Sequence, residues 1–188
     1  MIIISGSIVL YNNKIKQIKK VINSFLNTNL KVKLYLIDNS SNDDLKELEN
    51  IDNRIKYIFN NANLGYGKAH NIAMRKSIEN NTSYHIVLNP DIYFENDVIE
   101  KLYNYMEENQ EIGNIIPQVL YPDGEIQYLT KLLPTPIDLI FRRFIPLKSW
   151  KDKRNKKFEL KFTGYKDINN IPSLSGCFMF LRADTLKD

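Results

Sequence analysis

Strand-like and helix-like patterns alternate four times along residues 2–106, and this alternation constrains the possible fold more than any other feature of the chain. The strand patterns are short, β-branched apolar runs at residues 2–10, 32–37, 55–59 and 84–89. Each is followed by a stretch with apolar residues three and four positions apart, at residues 15–26, 45–51, 69–78 and 98–106. Parallel strands need such crossover helices, whereas antiparallel strands do not. The sequence therefore predicts an α/β fold with a mostly parallel, doubly wound, Rossmann-like sheet.

The alternation stops near residue 115, where the pattern changes to one typical of antiparallel pairing. Residues 115–120 fit an edge strand because Pro117 lacks an N–H donor, and a turn at residues 122–125 leads back into residues 126–127. This pattern predicts an antiparallel hairpin added to the sheet. Residues 173–181 are typical of one more buried strand, with a helix starting after it. We expect residues 1–188 to form a single domain, because that length is sufficient to bury a core.

Composition is that of an ordinary globular protein, with 43% hydrophobic and 26% charged residues. No apolar run approaches the roughly 20 residues of a membrane span, and the first residues lack the charged start of a signal peptide. The single cysteine, Cys177, excludes an intrachain disulfide and fits a reducing compartment. We therefore expect a cytoplasmic protein. The two histidines, His70 and His85, are interpreted as core or surface residues rather than metal ligands.

The net charge of +4 is unevenly distributed, because residues 142–161 hold nine Lys and Arg residues against two acidic ones. The rest of the chain is mildly acidic, which argues against nucleic acid as a partner. Apolar residues precede this basic segment. Residues 132–161 therefore predict either a peripheral contact with the inner face of an anionic membrane or a solvated loop.

Polar residues follow the ends of all four predicted parallel strands, at residues 11–12, 38–39, 60–67 and 89–91. The carboxyl ends of parallel strands meet at one edge of a sheet, where ligands bind in α/β proteins. A helix after Gly67 would direct free backbone N–H groups and the positive end of its dipole toward that edge, with Lys68 adding charge. The arrangement suits a ligand that carries a base, a sugar and phosphates.

Each of these signals also has a plainer interpretation. Residues 89–91, Asn-Pro-Asp, are typical of a turn, and Asp38 is as well suited to turning or capping the chain as to binding a ligand. Gly65 and Gly67 are also explained if their sole role is to permit unusual backbone angles. Their spacing matches neither a Walker loop nor a G-x-G-x-x-G fingerprint, so both of those motifs are excluded.

Five motifs taken in order resemble the family-two inverting glycosyltransferases, and most of all the rhamnosyltransferase-like branch of bacterial surface-polysaccharide synthesis. They are Ile-Val-Leu-Tyr-Asn at residues 8–12, Leu-Ile-Asp-Asn-Ser-Ser at 36–41, Asn-Leu-Gly-Tyr-Gly-Lys-Ala-His-Asn at 63–71, Leu-Asn-Pro-Asp at 88–91 and Ser-Gly-Cys-Phe-Met at 175–179. The resemblance implies the nucleotide-sugar-binding GT-A fold and a divalent cation, Mg²⁺ or Mn²⁺.

Site residues follow from this resemblance by position. It implies that the donor nucleotide contacts Tyr11, Asn12, Asp38, Asn39, Asn63, Gly65, Gly67, Lys68, Asn71 and Asn89. Asp91 would be the catalytic metal ligand, because a divalent cation there would neutralise charge on the leaving nucleoside diphosphate. The chain departs from the family's Asp-x-Asp motif in having neutral Asn89 at its first position.

The general base that inverting transfer requires lies, by the same resemblance, after residues 175–179 in an acidic segment that would fall beyond Asp188. Asp184 and Asp188 are the carboxylates that remain in this region. We therefore expect a C-terminally truncated fragment that binds donor without turnover.

Three functions are compatible with these features. The first is transfer of a sugar from dTDP-rhamnose or a UDP-hexose, with inversion, to a saccharide or lipid-linked acceptor in surface polysaccharide synthesis. The second is a non-catalytic nucleotide-sugar-binding module. The third, a nucleotidyltransferase, fits least because no early Gly-rich loop bears Arg or Lys.

Overall fold

The computed structural model describes residues 2–133, 158–165, 168 and 170–187. The chain forms two compact units, one of Met1–Ile115 with Gly176–Asp188 and the other of Ile116–Ser175. Each unit is described by itself below. That the whole chain acts as one domain stays a prediction.

The first unit is built on a six-stranded sheet, counted over the described residues. Its strands are β1 (Ile4–Leu10), β2 (Val32–Asp38), β3 (Ile55–Phe59), β4 (Tyr84–Leu88), β5 (Asn114–Ile115) and β6 (Phe178–Arg182). They lie in the order β3-β2-β1-β4-β6-β5, and the first four are parallel. The predicted α/β class with a mostly parallel, doubly wound sheet is thus confirmed.

The antiparallel part of the sheet comes from different residues than the sequence predicted. Strand β6 pairs antiparallel with β4, and the short β5 pairs antiparallel with β6. The predicted hairpin forms only an isolated bridge between Leu120 and Ile126, within the second unit. Pro117 lacks the N–H donor that a ladder needs, which limits the pairing, whereas Pro122 lies in the turn closed by the Gly124 N–H and the Tyr121 carbonyl at 2.9 Å.

In the described part of the chain, three α-helices connect or follow the parallel strands: α1 (Ile15–Leu26), α2 (Tyr66–Glu79) and α3 (Val98–Glu108). The expected helix after β2 is instead a 3₁₀-helix, Asp44–Ile51. The expected helix start after β6 is likewise a short 3₁₀-helix, Ala183–Leu186. Asp97 directly precedes α3, but its side chain makes no capping hydrogen bond.

One face of the sheet packs against α1 and α3 through apolar side chains. Ile4, Ile8 and Leu10 of β1 face the same core as the buried side chains of these two helices. Gly6 lies between them in sequence, and a Cβ there would come within 2.4 Å of the Phe25 ring on α1. Strand β1 therefore needs glycine at this position for α1 to approach closely.

The opposite face, under α2, combines apolar and polar side chains in its interior. Ser5 and Ser7 of β1 and His85 of β4 are completely buried there. Ser5 Oγ lies 2.7 Å from His85 Nδ1, and Ser7 Oγ lies 2.8 Å from His85 Nε2 and 2.7 Å from His70 Nδ1. Both histidines are thus core residues, as one of the two sequence interpretations has it.

The second unit is held together around Tyr165. Its hydroxyl donates to the carbonyl of Glu159 at 3.0 Å, and the backbone N–H of Thr130 donates to it at 3.2 Å. Lys161 lies over the ring of Tyr128, 4.6 Å from its centroid, and also pairs with Glu159.

Most of the segment for which we expect membrane contact, residues 134–157 of 132–161, lies outside the described residues. In the described part of the chain, no helix combines the length and the apolar character needed to cross a membrane.

Candidate functional site

The candidate site lies at the carboxyl edge of the parallel strands, where the strand order reverses. Strand β1 has β2 on one side and β4 on the other. The chain leaves β1 at Tyr11 and Asn12, and it leaves β4 at residues 89–91. In open α/β sheets the crevice at such a switch point is where ligands bind. The two segments therefore flank the most favourable ligand position in the sheet.

Asp38 ends β2 and is completely buried. Its Oδ1 accepts from the backbone N–H of Ser40 at 2.8 Å, and its Oδ2 accepts from the Tyr57 hydroxyl at 2.6 Å. Burial, followed by the Asp38 carboxylate, raises the pKa of the Tyr57 phenol well above its usual value, so the hydroxyl remains a donor. Asp38 thus fixes the chain at the end of β2, with both oxygens already hydrogen-bonded.

The next residue, Asn39, joins three segments of the same edge. Its backbone N–H donates to the carbonyl of Leu10 at 2.9 Å, and its side-chain oxygen accepts from Asn60 Nδ2 at 2.8 Å. Its own Nδ2 lies 3.4 Å from the carbonyl of Gly65. Asn12 is tied in through its backbone N–H, which donates to Ser40 Oγ at 2.9 Å. The ends of β1, β2 and β3 are therefore connected by hydrogen bonds.

The start of α2 presents free backbone N–H groups at this edge. Gly65 caps the helix with φ +78°, a left-handed conformation that favours glycine, and its N–H donates to Asn63 Oδ1 at 3.0 Å. Gly67 needs no such conformation, but no atom lies within 4 Å of where its Cβ would be. Lys68 and Asn71 are exposed on the first turns of α2 and, among the described residues, make no hydrogen bond to the other candidates.

Tyr66 connects α2 to the far side of the crevice. Its hydroxyl contacts Asn89 Oδ1 at 3.0 Å and the carbonyl of Gly176 at 2.5 Å. The backbone N–H of Asn89 donates to the carbonyl of Cys177 at 2.9 Å. Burial, then Cys177 and Asp91, raise the pKa of Tyr66 to about 12. The phenol is therefore a neutral donor at physiological pH.

Asp91 is exposed just past the end of β4, and no described side chain pairs with it. Within the described residues, no group of three or more His, Cys, Asp or Glu side chains is arranged to hold a metal ion. This composition is compatible with Mg²⁺ or Mn²⁺ bound through one carboxylate and substrate phosphates, because Mg²⁺ keeps several waters and seldom uses an all-protein cage. The residues present therefore fit a cation that arrives with a diphosphate.

Asp184 lies at the opposite edge of the sheet. Strand β6 is antiparallel to β4, so Arg182 at its end pairs with Tyr84 at the start of β4. Asp184 follows, and its Oδ1 accepts a hydrogen bond from Lys187 Nζ at 2.7 Å. The five-residue length of β4 separates the two edges by roughly 15 Å. Asp184 is therefore too far from Asp91 to act as the general base of a site built there. Asp188 lies outside the described residues.

Sequence reasoning did not single out Tyr57 or Tyr66 as members of this edge. A signal for Tyr57 was present, since it alternates with lysine in β3 and so faces the same side as Phe59, the register partner of Asp38. Tyr66 stands inside the quoted 63–71 motif. Its partner Gly176 is 110 residues away, and no local pattern indicates that contact.

Solved structures with a similar fold are glycosyltransferases of the GT-A class. TarS 1-349 from S. aureus in complex with UDP-GlcNAc has a TM-score of 0.57 and 18% identity, covering 72% of this chain and 42% of that one. The mannosyltransferase PcManGT from Pyrobaculum calidifontis, in complex with GDP-Man and Mn²⁺, has a TM-score of 0.53 and 14% identity, covering 64% of this chain and 36% of that one. The chain therefore shares the GT-A fold of these structures.

The family model Glycosyl transferase family 2 matches residues 7–188, and the chain belongs to this family. The resemblance to the family-two glycosyltransferases seen in the sequence is thus confirmed at the level of the family. No curated protein sequence matches the chain. The chain spans less than half the length of the solved structures that it resembles.

Proposed function

We propose that this chain is the donor-binding part of a metal-dependent glycosyltransferase that uses a nucleoside-diphosphate sugar. The observation that carries the proposal is the exposed carboxylate of Asp91, which pairs with no described side chain and follows β4 across the switch point from Tyr11 and Asn12. Membership of Glycosyl transferase family 2 supplies the reaction class.

The roles of the chain's residues follow from where they lie. The exposed ring of Tyr11 and the amide of Asn12 line one wall of the crevice. The N-terminus of α2, with Gly67 and Lys68, favours the negative charge of a diphosphate. Asp91 would hold the divalent cation, which supplies positive charge against the departing nucleoside diphosphate.

Asp38 and Asn39 contribute differently from a direct donor contact in this proposal. Both are buried and bonded within the protein, so they position Asn12 and the 60–67 loop around the nucleotide. Any contact of these residues with the nucleotide base must use lone pairs or N–H groups that are not already hydrogen-bonded within the protein.

The finer identity of the reaction rests on the sequence resemblance and on the neighbours. TarS was solved with UDP-GlcNAc and PcManGT with GDP-Man. We extend the proposal to transfer with inversion, from dTDP-rhamnose or a UDP-hexose, to a saccharide or lipid-linked acceptor in polysaccharide synthesis at the cytoplasmic face of a membrane. The base would be supplied from outside the described residues.

Calorimetric titration of UDP, dTDP and GDP, each with Mn²⁺ and with EDTA, tests the proposal. We expect at least one nucleotide to bind more tightly with Mn²⁺. Asp91→Asn should abolish this metal-dependent gain, because it removes the carboxylate charge and leaves the size of the side chain unchanged.

Glu95→Gln is the matched control, since it removes one charge from an exposed residue of the same loop. It should retain the full gain. Binding that is equally tight with and without metal, and unchanged in Asp91→Asn, would favour a module that binds nucleotide without a cation. Failure to bind any of the three nucleotides would contradict the proposal as a whole.

A further inference from the structure

We propose that Ser40 is a positioning residue whose side-chain oxygen holds the turn at residues 11–13, so that the ring of Tyr11 is presented to the base of the donor nucleotide. The inference rests on the proposed function and extends it to a buried residue outside the donor's reach. It concerns the affinity for the nucleotide and not the binding of the cation.

The turn at residues 11–13 is joined to the neighbouring strand end through one backbone N–H group. Tyr11 donates its own N–H within the turn, to Asn13 Oδ1 at 2.7 Å. The N–H of Asn12 instead donates to Ser40 Oγ at 2.9 Å. In the described part of the chain, no other hydrogen bond joins the turn to another segment. The position of the turn therefore depends on the Ser40 oxygen.

This bond acts on the backbone on both sides of it. The donating N–H belongs to the planar peptide group between Tyr11 and Asn12, so the bond fixes the orientation of that plane. Asn12 has φ +52°, in the left-handed region that asparagine enters more readily than most residues but does not require. The bond to Ser40 thus selects one of several backbone conformations, and with it the direction in which the Tyr11 ring leaves the chain.

Ser40 can hold the turn because it is itself fixed. It is only 2% exposed, and its backbone N–H donates to Asp38 Oδ1 at 2.8 Å. The other oxygen of Asp38 accepts from the Tyr57 hydroxyl at 2.6 Å. A continuous series of hydrogen bonds therefore runs from β3, through the end of β2, to the turn after β1.

The ring that this series positions is suited to a nucleotide base. Tyr11 is 55% exposed at the crevice, and base–aromatic stacking needs only the flat face that every base offers. A turn that is ordered only when the nucleotide binds loses conformational entropy in that step, and the loss is subtracted from the affinity. Ser40 strengthens binding by ordering the turn beforehand.

The test is a double-mutant cycle on UDP affinity, measured by calorimetry with Mn²⁺, for the wild type, Ser40→Ala, Tyr11→Ala and the double variant. Tyr11→Ala should weaken UDP binding by roughly tenfold through loss of stacking. Ser40→Ala should weaken it by roughly three- to tenfold, because the turn must then be ordered on binding. In the Tyr11→Ala background Ser40→Ala should cost less than about twofold, since the ring that it positions is absent.

Two further variants separate the lost acceptor from a general loss of structure. Ser24→Ala is the matched control, because it removes another hydroxyl that accepts from a backbone N–H, that of Phe94 at 3.2 Å. It should leave UDP affinity unchanged. Ser40→Cys keeps the shape of the side chain with a much weaker acceptor, so it should weaken binding as Ser40→Ala does. Thermal melts establish that each variant is folded.

Hydrogen exchange of the Asn12 amide, followed by NMR, checks the bond without reference to affinity. Exchange should be slow in the wild type although Asn12 is an exposed residue, because its N–H is bonded to Ser40. It should become fast in Ser40→Cys and in Ser40→Ala.

The proposal is overturned if Ser40→Ala and Ser40→Cys both bind UDP within twofold of the wild type. It is also overturned if Ser40→Ala costs the same factor with and without the Tyr11 ring, or if the Asn12 amide exchanges rapidly in the wild type. An unchanged affinity in Tyr11→Ala would overturn this inference and leave the proposed function standing. Absence of UDP, dTDP and GDP binding by the wild type would instead refute the proposed function, and with it the basis of this inference.

Discussion

The carboxyl group of Asp38 is fully buried, and each of its two oxygens accepts one hydrogen bond. The 2.6 Å contact from Tyr57 is the more informative of the two, because it comes from a side chain and can be removed by mutation. Leaving a buried acceptor without its donor lowers the stability of the fold by more than a typical hydrogen bond contributes to it, because the acceptor loses its hydration without gaining a partner. Tyr57 therefore stabilises the strand end from which the candidate site is built.

Tyr57→Phe should lower the free energy of unfolding by about 1.5–3 kcal/mol, since it leaves Asp38 Oδ2 buried and unpaired. Urea denaturation at neutral pH measures the change. Tyr93→Phe provides the comparison, because its ring is 60% exposed, and it should stay within about 0.5 kcal/mol of the wild type. Equal stability of the two variants would show that Asp38 finds another donor.

At the scale of elements, the contact of α1 with β1 depends on a missing side chain. The ring of Phe25 occupies the space beside Gly6, where a Cβ would lie 2.4 Å from one ring carbon and 2.6 Å from another. The rest of the interface consists of fully buried aliphatic residues, Ile8 and Ile18 among them. Protein cores accommodate added atoms poorly, so the helix and the strand are closely matched in shape.

Gly6→Ala should destabilise the protein by about 1–3 kcal/mol through overpacking against Phe25. Gly67→Ala is the control, because that helical position has open space around it and alanine favours helix. It should be neutral or slightly stabilising in the same urea experiment.

Phe25→Leu should be less harmful in the Gly6→Ala background than in the wild type, because it relieves the clash. Additive effects of the two substitutions would contradict the packing argument.

At the scale of the whole molecule, stability is linked to pH through the two buried histidines. Burial lowers the pKa of His70 to about 4, and burial followed by the charge of His70 lowers that of His85 to about 3, against an ordinary value of 6.5. Between these values and 6.5 the unfolded chain binds protons that the folded protein does not bind. The free energy of unfolding therefore rises with pH in this window. The contribution from the two neutral histidines is fully present above pH 6.5 and is lost as the pH falls toward 4.

We expect the free energy of unfolding to fall by about 1.4 kcal/mol per pH unit for each histidine between roughly pH 6 and 4.5. Urea denaturation at several pH values measures this slope. His70→Gln should reduce the slope by one histidine's share. A slope that is unchanged in His70→Gln would show that other groups cause the acid sensitivity.

Hydrophobic periodicity predicted most of the fold because it is a local signal. Strand β3 was predicted with its observed bounds, and α1 to within a residue, since each places one apolar face on the core. The Asp44–Ile51 segment was expected as an ordinary helix and is a 3₁₀-helix, because apolar spacing over eight residues does not separate the two.

The sequence predicted a hairpin of residues 115–120 with 126–127 but not the antiparallel pairing of β6 with β4 and β5, since partner choice between distant strands leaves no periodic trace.

The sequence by itself determined the α/β class, the family, and which residues follow the parallel strand ends. Hydrophobic periods of 2.0 and 3.6 residues and the order of the motifs are local properties that can be read directly from the sequence. Tertiary structure alone decided that Asp184 lies at the far edge, that Asp38 and Asn39 are buried and bonded, and that Tyr66 reaches Asn89 and Gly176. Each of these depends on the direction of β6 or on contacts between residues far apart in sequence. Such contacts are settled when the sheet assembles, by which donors and acceptors its edges bring within reach of one another.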